Sequence, residues 1–410
     1  MRAFFLSTML FCSATQAANW QFDPAIPVSP ESKPGVFVHL ESAGRKSIAL
    51  SDGWVAIAWE DNRDGVSRCY VALKEAGQNK FNASQVVSGS SEAAEPAIVG
   101  IGGGRFALAW EENGQIWARI VTAVPVNKPA ILAGPVQLSK AAATQASLAY
   151  AKENGLFAVW SEQGAVYWHI RFAKLQVSDQ NAIHAPSSTR VDTGAKGDQS
   201  YPSIAELHGS QTVVAWEDRS AGHTRLLYAV SRNNIAFLAP QQLNEAKWRD
   251  VKSGIGVGGT GVMRVALTAH AQDGVGAVWA DKRDFQSGYD VYGSFARGPQ
   301  IIFAANEKVQ DEFGDNIAQW HPAIAANANG RVVVVWDDDR DGTPDVWLSW
   351  RKDDGWSADL AVPGASGADV QSDPSIAMDE SGNLHVAWVE KSGLNSPSMI
   401  RYTLGRPTGK

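Results

Sequence analysis

The chain has 410 residues, enough for a large core, and its 36 basic against 43 acidic residues, a formal net charge of −7, leave no basic surface of the kind nucleic acid requires. No run approaches the roughly 18 consecutive apolar residues of a membrane-spanning helix, so no membrane span is predicted. Sixteen Trp, 38 Gly and short runs of Val, Ile and Ala without helical spacing point to an all-β protein.

The first seventeen residues, MRAFFLSTMLFCSATQA, place one basic residue before an apolar run and end in the small-residue stretch Thr15-Gln16-Ala17. That is the build of a secretory signal peptide, and it predicts export to the periplasm or the medium, with a single domain over 18–410. Cys12 leaves with the peptide, so Cys69 remains alone and no internal disulfide is expected.

From there the chain repeats. Strands ending in Trp recur as AIAWED (Trp59), ALAWEE (Trp110), FAVWSE (Trp160), VVAWED (Trp216), GAVWAD (Trp279), VVVWDD (Trp336) and HVAWVE (Trp388). Upstream of most of them lies a run such as EPAI, QASL, YPSI, HPAI or DPSI; downstream come a polar turn, a third strand and a short fourth one. Four short antiparallel strands repeated seven times predict a seven-bladed β-propeller. The seventh repeat lacks its fourth strand, and PAIPVSPES, residues 24–32, resembles the missing piece; the N-terminal strand is therefore expected to complete the last blade and close the ring. The repeated Trp are read as core.

The turns after Trp carry an acidic residue followed by Arg: Asp61-Asn62-Arg63, Asp218-Arg219, Asp281-Lys282-Arg283 and Asp338-Asp339-Arg340. Repetition at equivalent places suggests scaffold, with each Asp accepting from turn amides or pairing with the Arg. In the sixth repeat Asp337, Asp339, Asp341 and Asp345 also fit the oxygen spacing of a Ca²⁺ loop, so a metal site stands beside the structural turn as an alternative.

Function is better sought where repeats are equivalent in place but different in chemistry. Three residues before the apolar anchor of each first strand stand Arg45, Glu95, Gln145, Tyr201, Arg264, His321 and Asp373. In a propeller these surround the axis, on the face where the post-Trp turns and Glu60, Glu111, Glu217 and Asp337 also open. Convergent polar groups there form the candidate binding site. Extra chain over 244–262 and 310–320 adds Trp248, Arg249 and Trp320 to that face, suited to stacking on a sugar ring and to pairing with a carboxylate. His169, among apolar neighbours, is read as structural.

The pattern P-S-I-A, then V-V-W, then D-x-R-x-G with D-V-Y or D-V-W resembles the repeats of bacterial secreted sialidase-like propellers. The resemblance implies that Arg45 and Arg264 grip a substrate carboxylate, that Tyr201 with Glu217 supplies the nucleophile, and that Asp373 is the acid. No third arginine and no S-x-D-x-G-x-T-W box is present. Seven-bladed polysaccharide lyases are a second comparison, implying roles for Tyr201, Arg219 and His321 in removing a proton from a uronate. The expectation is a propeller whose axial face binds an anionic glycan and cleaves it as hydrolase or lyase; a lectin or protein-interaction scaffold using the same face is the alternative. A lectin should repeat its site in several blades, whereas this ring varies from blade to blade.

Overall fold

The computed structural model describes residues 19–408 apart from 30–32, 34, 126–127, 186, 246–260, 272, 284–287, 315 and 394–395. The expected signal peptide, Trp248 and Arg249 lie outside the described residues. Seven antiparallel sheets follow one another along the chain, each a blade of a β-propeller, with almost no helix. In blades 2, 3, 6 and 7 the fourth strand is broken into two short pieces, and in blade 1 the first strand is broken. The ring closes as expected, but the closing strand starts earlier than the sequence suggested: Trp20–Phe22 and Ile26–Pro27 pair with the C-terminal strand Ser398–Pro407. Trp20 is 3 % exposed and packs edge-on against Trp350 of blade 6, which anchors the strand at its start.

Apolar side chains from neighbouring blades interleave into shared cores, as where strands of blades 2 and 3 together bury Ile116, Leu148 and Trp160. The seven repeated Trp are all fully buried. In a strand, residues i and i+2 share a face, so each Trp can reach the acid two positions on. The indole N–H donates to Asp61 from Trp59 at 3.2 Å, to Glu112 from Trp110 at 2.9 Å, to Glu162 from Trp160 at 3.2 Å, to Asp281 from Trp279 at 3.0 Å and to Asp338 from Trp336 at 3.0 Å. In blades 1, 5 and 6 the same carboxylate accepts the amide of the Arg two residues later and pairs with its guanidinium, which lies over Tyr70, Tyr292 or Trp347. Each acid thus satisfies a buried indole, a turn amide and a cation, so its burial is compensated.

This confirms the structural reading of the acidic turns and corrects two details. In blade 4, Asp218 pairs with Arg225 at 2.6 Å, while Arg219 is exposed on the turn. The Ca²⁺ reading does not fit the geometry: Asp337 accepts from His321, Asp345 Oδ1 accepts the Gly367 amide, and Asp339 and Asp341 are exposed on the turn that Arg340 occupies. No group of three or more His, Cys, Asp or Glu among the described residues is arranged to hold a metal ion.

Opposite each of six Trp, the inner strand bulges. Between Thr144 and Ser147 the register shifts so that Gln145 and Ala146 face Trp160 alone, and the same two-against-one count holds for Glu95, Tyr201, Arg264, His321 and Asp373 with the residue after each. Pro96, Pro202, Pro322 and Pro374 fill four of these second places, where a missing N–H costs no ladder bond. In blade 1 the bulge is enlarged: seven residues, 40–46, stand where the other blades place two, because Ser47 already pairs with Ala58. This insertion contains a 3-10 turn, Ala43–Arg45, that leaves its own blade and touches the inner strands of blades 2 to 6. It plugs the axis. Gly44 lies at φ +67°, and a Cβ there would sit 2.5 Å from Ser203 Oγ and 3.0 Å from Ser147 Oγ, so only glycine fits.

Replacing Asp281 with Ala should strip Trp279 Nε1 of its acceptor and leave the Arg283 guanidinium, 3 % exposed, without its main partner. The expected loss is about 3 kcal/mol of unfolding free energy in urea titration. Asp341→Ala, on the exposed turn, should stay within about 0.5 kcal/mol of the wild type; equal effects would contradict the assignment.

Candidate functional site

The seven ring residues share one backbone property. Arg45, Glu95, Gln145, Tyr201, Arg264, His321 and Asp373 all have positive φ, between 48° and 62°, although none is glycine. Such a conformation costs roughly 1–2 kcal/mol for an ordinary residue, so the fold imposes it at each bulge. Its effect is to turn the amide toward the preceding blade. The Gln145 N–H donates to Glu111 Oε1 at 2.5 Å, Arg264 N–H to Glu217 Oε1 at 2.9 Å and Asp373 N–H to Asp337 Oδ1 at 3.1 Å. In blade 3 the residue after Trp is Ser161, and the Gln145 side chain takes over, accepting the Tyr201 amide at 2.7 Å. Gln145, expected to bind substrate, therefore braces blade 4 against blade 3.

The remaining ring side chains fall into two groups. In blades 6, 7 and 1, His321 Nδ1 lies 2.7 Å from Asp337 Oδ1, His321 Nε2 lies 3.4 Å from Asp373 Oδ1, and Arg45 Nη1 lies 3.6 Å from the same Asp373 oxygen. Burial works against charge on the imidazole, but Asp337 and Asp373 outweigh it and raise its pKa above the ordinary value. Burial also disfavours the Asp373 carboxylate, yet His321 and Arg45 reverse the balance and keep its pKa low.

The second group gathers around Arg264. Its guanidinium lies 3.6 Å over the Tyr201 ring and 2.7 Å from Glu41 Oε1, which the blade 1 insertion carries across the axis. Burial raises the Glu217 pKa, opposed by the Arg264 amide and by the charges of Arg264 and Arg219. Glu95 is strongly perturbed: burial first, then Glu111, push it up to about 8. Its Oε2 is shielded from solvent without a hydrogen-bond partner among the described residues, as are Arg264 Nη1 and both Nη atoms of Arg45. Trp320, 37 % exposed, stands beside Tyr289 with ring centroids 5.0 Å apart, and Tyr289 in turn lies close enough to Glu217 to feel its charge.

The expected ring is thus assembled, but the two arginines face different carboxylates, Asp373 and Glu41, rather than one shared substrate position. Arg219 reaches the site only through its charge. Glu41 and Tyr289 escaped the sequence reading; the signal for Glu41 was the extra length before Ser47 in blade 1. His169 has a firmer structural role than its apolar neighbours suggested, with Nδ1 at 2.8 Å from the buried Asp192.

Because the folded-state pKa of Glu95 stands above its ordinary value near 4.5, the folded chain keeps a proton that the unfolded chain releases between the two values. Stability should therefore fall as pH rises through that window. Urea midpoints at about pH 5 and about pH 9 should diverge more for the wild type than for Glu95→Gln, with the variant gaining relative stability at the higher pH. Parallel curves would show that Glu95 titrates normally.

No protein-family model and no curated protein matches the chain. Among solved structures, it is similar to a Dyadobacter fermentans protein of unknown function, with a TM-score of 0.52 and 10 % identity over 95 % of this chain and 100 % of that one. It is also similar to the GH93 α-L-arabinofuranosidase of Fusarium graminearum (TM-score 0.47, 12 % identity, 74 % and 90 % covered) and to an α-L-arabinanase of Penicillium chrysogenum (TM-score 0.49, 12 % identity, 75 % and 92 % covered). At 10 % identity the likeness to the Dyadobacter protein is one of fold alone.

Proposed function

We propose that the protein is an exported glycoside hydrolase whose axial face binds an uncharged glycan, with Glu95 as the proton donor and Glu217 as the base. The observation that carries this reading is the set of shielded polar atoms on the ring that make no hydrogen bond among the described residues: Glu95 Oε2, Arg264 Nη1, Arg45 Nη2 and Arg45 Nη1, the last with only the longer ion pair to Asp373. Unsatisfied buried groups are costly, and hydroxyl groups of a bound sugar would satisfy donors and acceptor alike.

Glycoside cleavage requires one carboxylic acid that still holds its proton and one that does not. The perturbation of Glu95 supplies the first at neutral pH. Glu217 is assigned the second role: burial raises its pKa, but the Arg264 amide and the charges of Arg264 and Arg219 oppose the rise. Trp320 beside Tyr289 offers an aromatic surface for a sugar ring. Export rests on the signal-peptide pattern of residues 1–17.

Charge favours an uncharged glycan over the anionic one expected from sequence. Glu41, Glu60, Glu111, Glu217, Asp337 and Asp373 outnumber the basic groups of the ring, and both ring arginines already face carboxylates of the protein. A lyase needs a base at the substrate, whereas His321 already has Asp337 at 2.7 Å from Nδ1 and Asp373 at 3.4 Å from Nε2, and these raise its pKa.

The test is a panel of neutral, sialylated and uronate-containing oligosaccharides, followed for released reducing ends and for absorbance of unsaturated products. Release from a neutral substrate is expected, with kcat lowered ~10²- to 10⁴-fold in Glu95→Gln and Glu217→Gln and KM raised in Trp320→Ala. Binding without turnover, unchanged in Glu95→Gln, would make the protein a lectin; silence throughout would favour a protein-interaction scaffold.

A further inference from the structure

Beneath the axial plug the channel widens into a cavity of about 330 Å³ on the side opposite the ring. Its walls come from the inner strands of several blades and are made mostly of small and aliphatic residues such as Ile98, Ala325 and Met378, with Thr268 and Tyr150 among the polar ones. Two basic residues, Arg45 and Lys46, are out of character there. Lys46, the residue after the plug turn, extends across the axis from blade 1 and donates from Nζ to the Leu267 carbonyl of blade 5 at 3.1 Å. Its carbonyl is held by the Ile98 amide at 2.7 Å, so the base of the side chain is fixed as well as its tip.

From this arrangement we infer that the channel cavity is a binding site for a small anion, a carboxylate or phosphate, held by the Lys46 ammonium. An ammonium has three donors, and the Leu267 carbonyl uses one. No carboxylate lines the cavity among the described residues, so the part-buried ammonium meets no counter-charge in the cavity wall. Burial alone lowers the Lys46 pKa to about 8, with no acidic neighbour offsetting it, which fits a site built for a charge that comes from outside. The volume lies at the lower end of the range for small-molecule pockets. Tyr150 and Ala326 also line a second, neighbouring cavity; Lys152 and His208 line it too, as do Glu206, Glu380 and Glu153, which faces His208 at 3.9 Å. Arg45 of the plug turn belongs to the ring and also lines this cavity, so the plug is the wall that the two sites share.

The experiment uses the exported chain with inorganic phosphate and acetate as probes, at constant ionic strength set with a bulky, non-penetrating salt. Calorimetric titration and thermal melts should give saturable binding and an upward Tm shift, with affinity lower by at least ~10-fold in Lys46→Met and largely kept in Lys46→Arg. Should Lys46→Met fail to fold, acylation of wild-type lysines read by peptide mass spectrometry serves instead: modification at Lys46 should slow when phosphate or acetate is present. Equal binding by wild type and Lys46→Met, no saturable binding by the wild type, or acylation of Lys46 that is indifferent to both anions would each overturn the inference.

Discussion

The structure depends on a repeated opposition of one buried tryptophan to two residues of the neighbouring inner strand. That count forces a bulge, the bulge forces a left-handed residue, and the left-handed residue turns its amide out of its own ladder. The freed donor must be satisfied, which explains why carboxylates or a Gln from the preceding blade lie within reach of Gln145, Tyr201, Arg264 and Asp373. The same geometry that locks blade to blade leaves one side chain per blade aimed at the axis. The shape repeats because it belongs to the fold; the seven side chains differ because, Gln145 apart, the braces between blades do not use them.

The insertion in blade 1 breaks the symmetry. By carrying Glu41 to Arg264, Gly44 to Ser147 and Ser203, and Lys46 to Leu267, it ties one blade to those across the ring and divides the channel into two compartments. The small Ser or Ala found two places after each ring residue, fully buried in every blade, makes room for this turn at the narrowest level. A ring without the plug would expose the inner strand edges to water along the whole axis. With it, the upper compartment has a floor on which charged groups can be held in low-dielectric surroundings, and it is there that the carboxylate of Glu95 is strongly disturbed.

Much of this was legible beforehand. Blade count, strand order, ring closure, the core role of the Trp residues and the axial position of the seven variable residues follow from the repeat, because period and burial are local properties that sequence spacing records. The acidic turns were legible too, since Trp, Asp and Arg at two-residue intervals share a strand face. What the spacing could not convey was direction across the axis. Nothing near Glu41 announces that it meets Arg264, more than two hundred residues away, and the partner of Asp218 proved to be Arg225 on the next strand rather than the adjacent Arg219. Five similar-looking aspartates around Asp337 diverge into an interblade brace, a Trp partner, two exposed turn residues and a cap on Gly367, a sorting that only the alternation of strand faces accomplishes.

The closing strand links Trp20 with Pro407, so the first and last described strands lie side by side in one sheet. A ribosome makes the first of these long before the second, and until the last strand arrives both outer edges of the array offer unpaired backbone to any passing strand. Such distant pairing is entropically late, which makes the final latch a slow and vulnerable stage of assembly. Once it is made, fraying at either terminus opens the same sheet. The two ends therefore share a single lock, and a truncation of a few residues at one end is felt at the other.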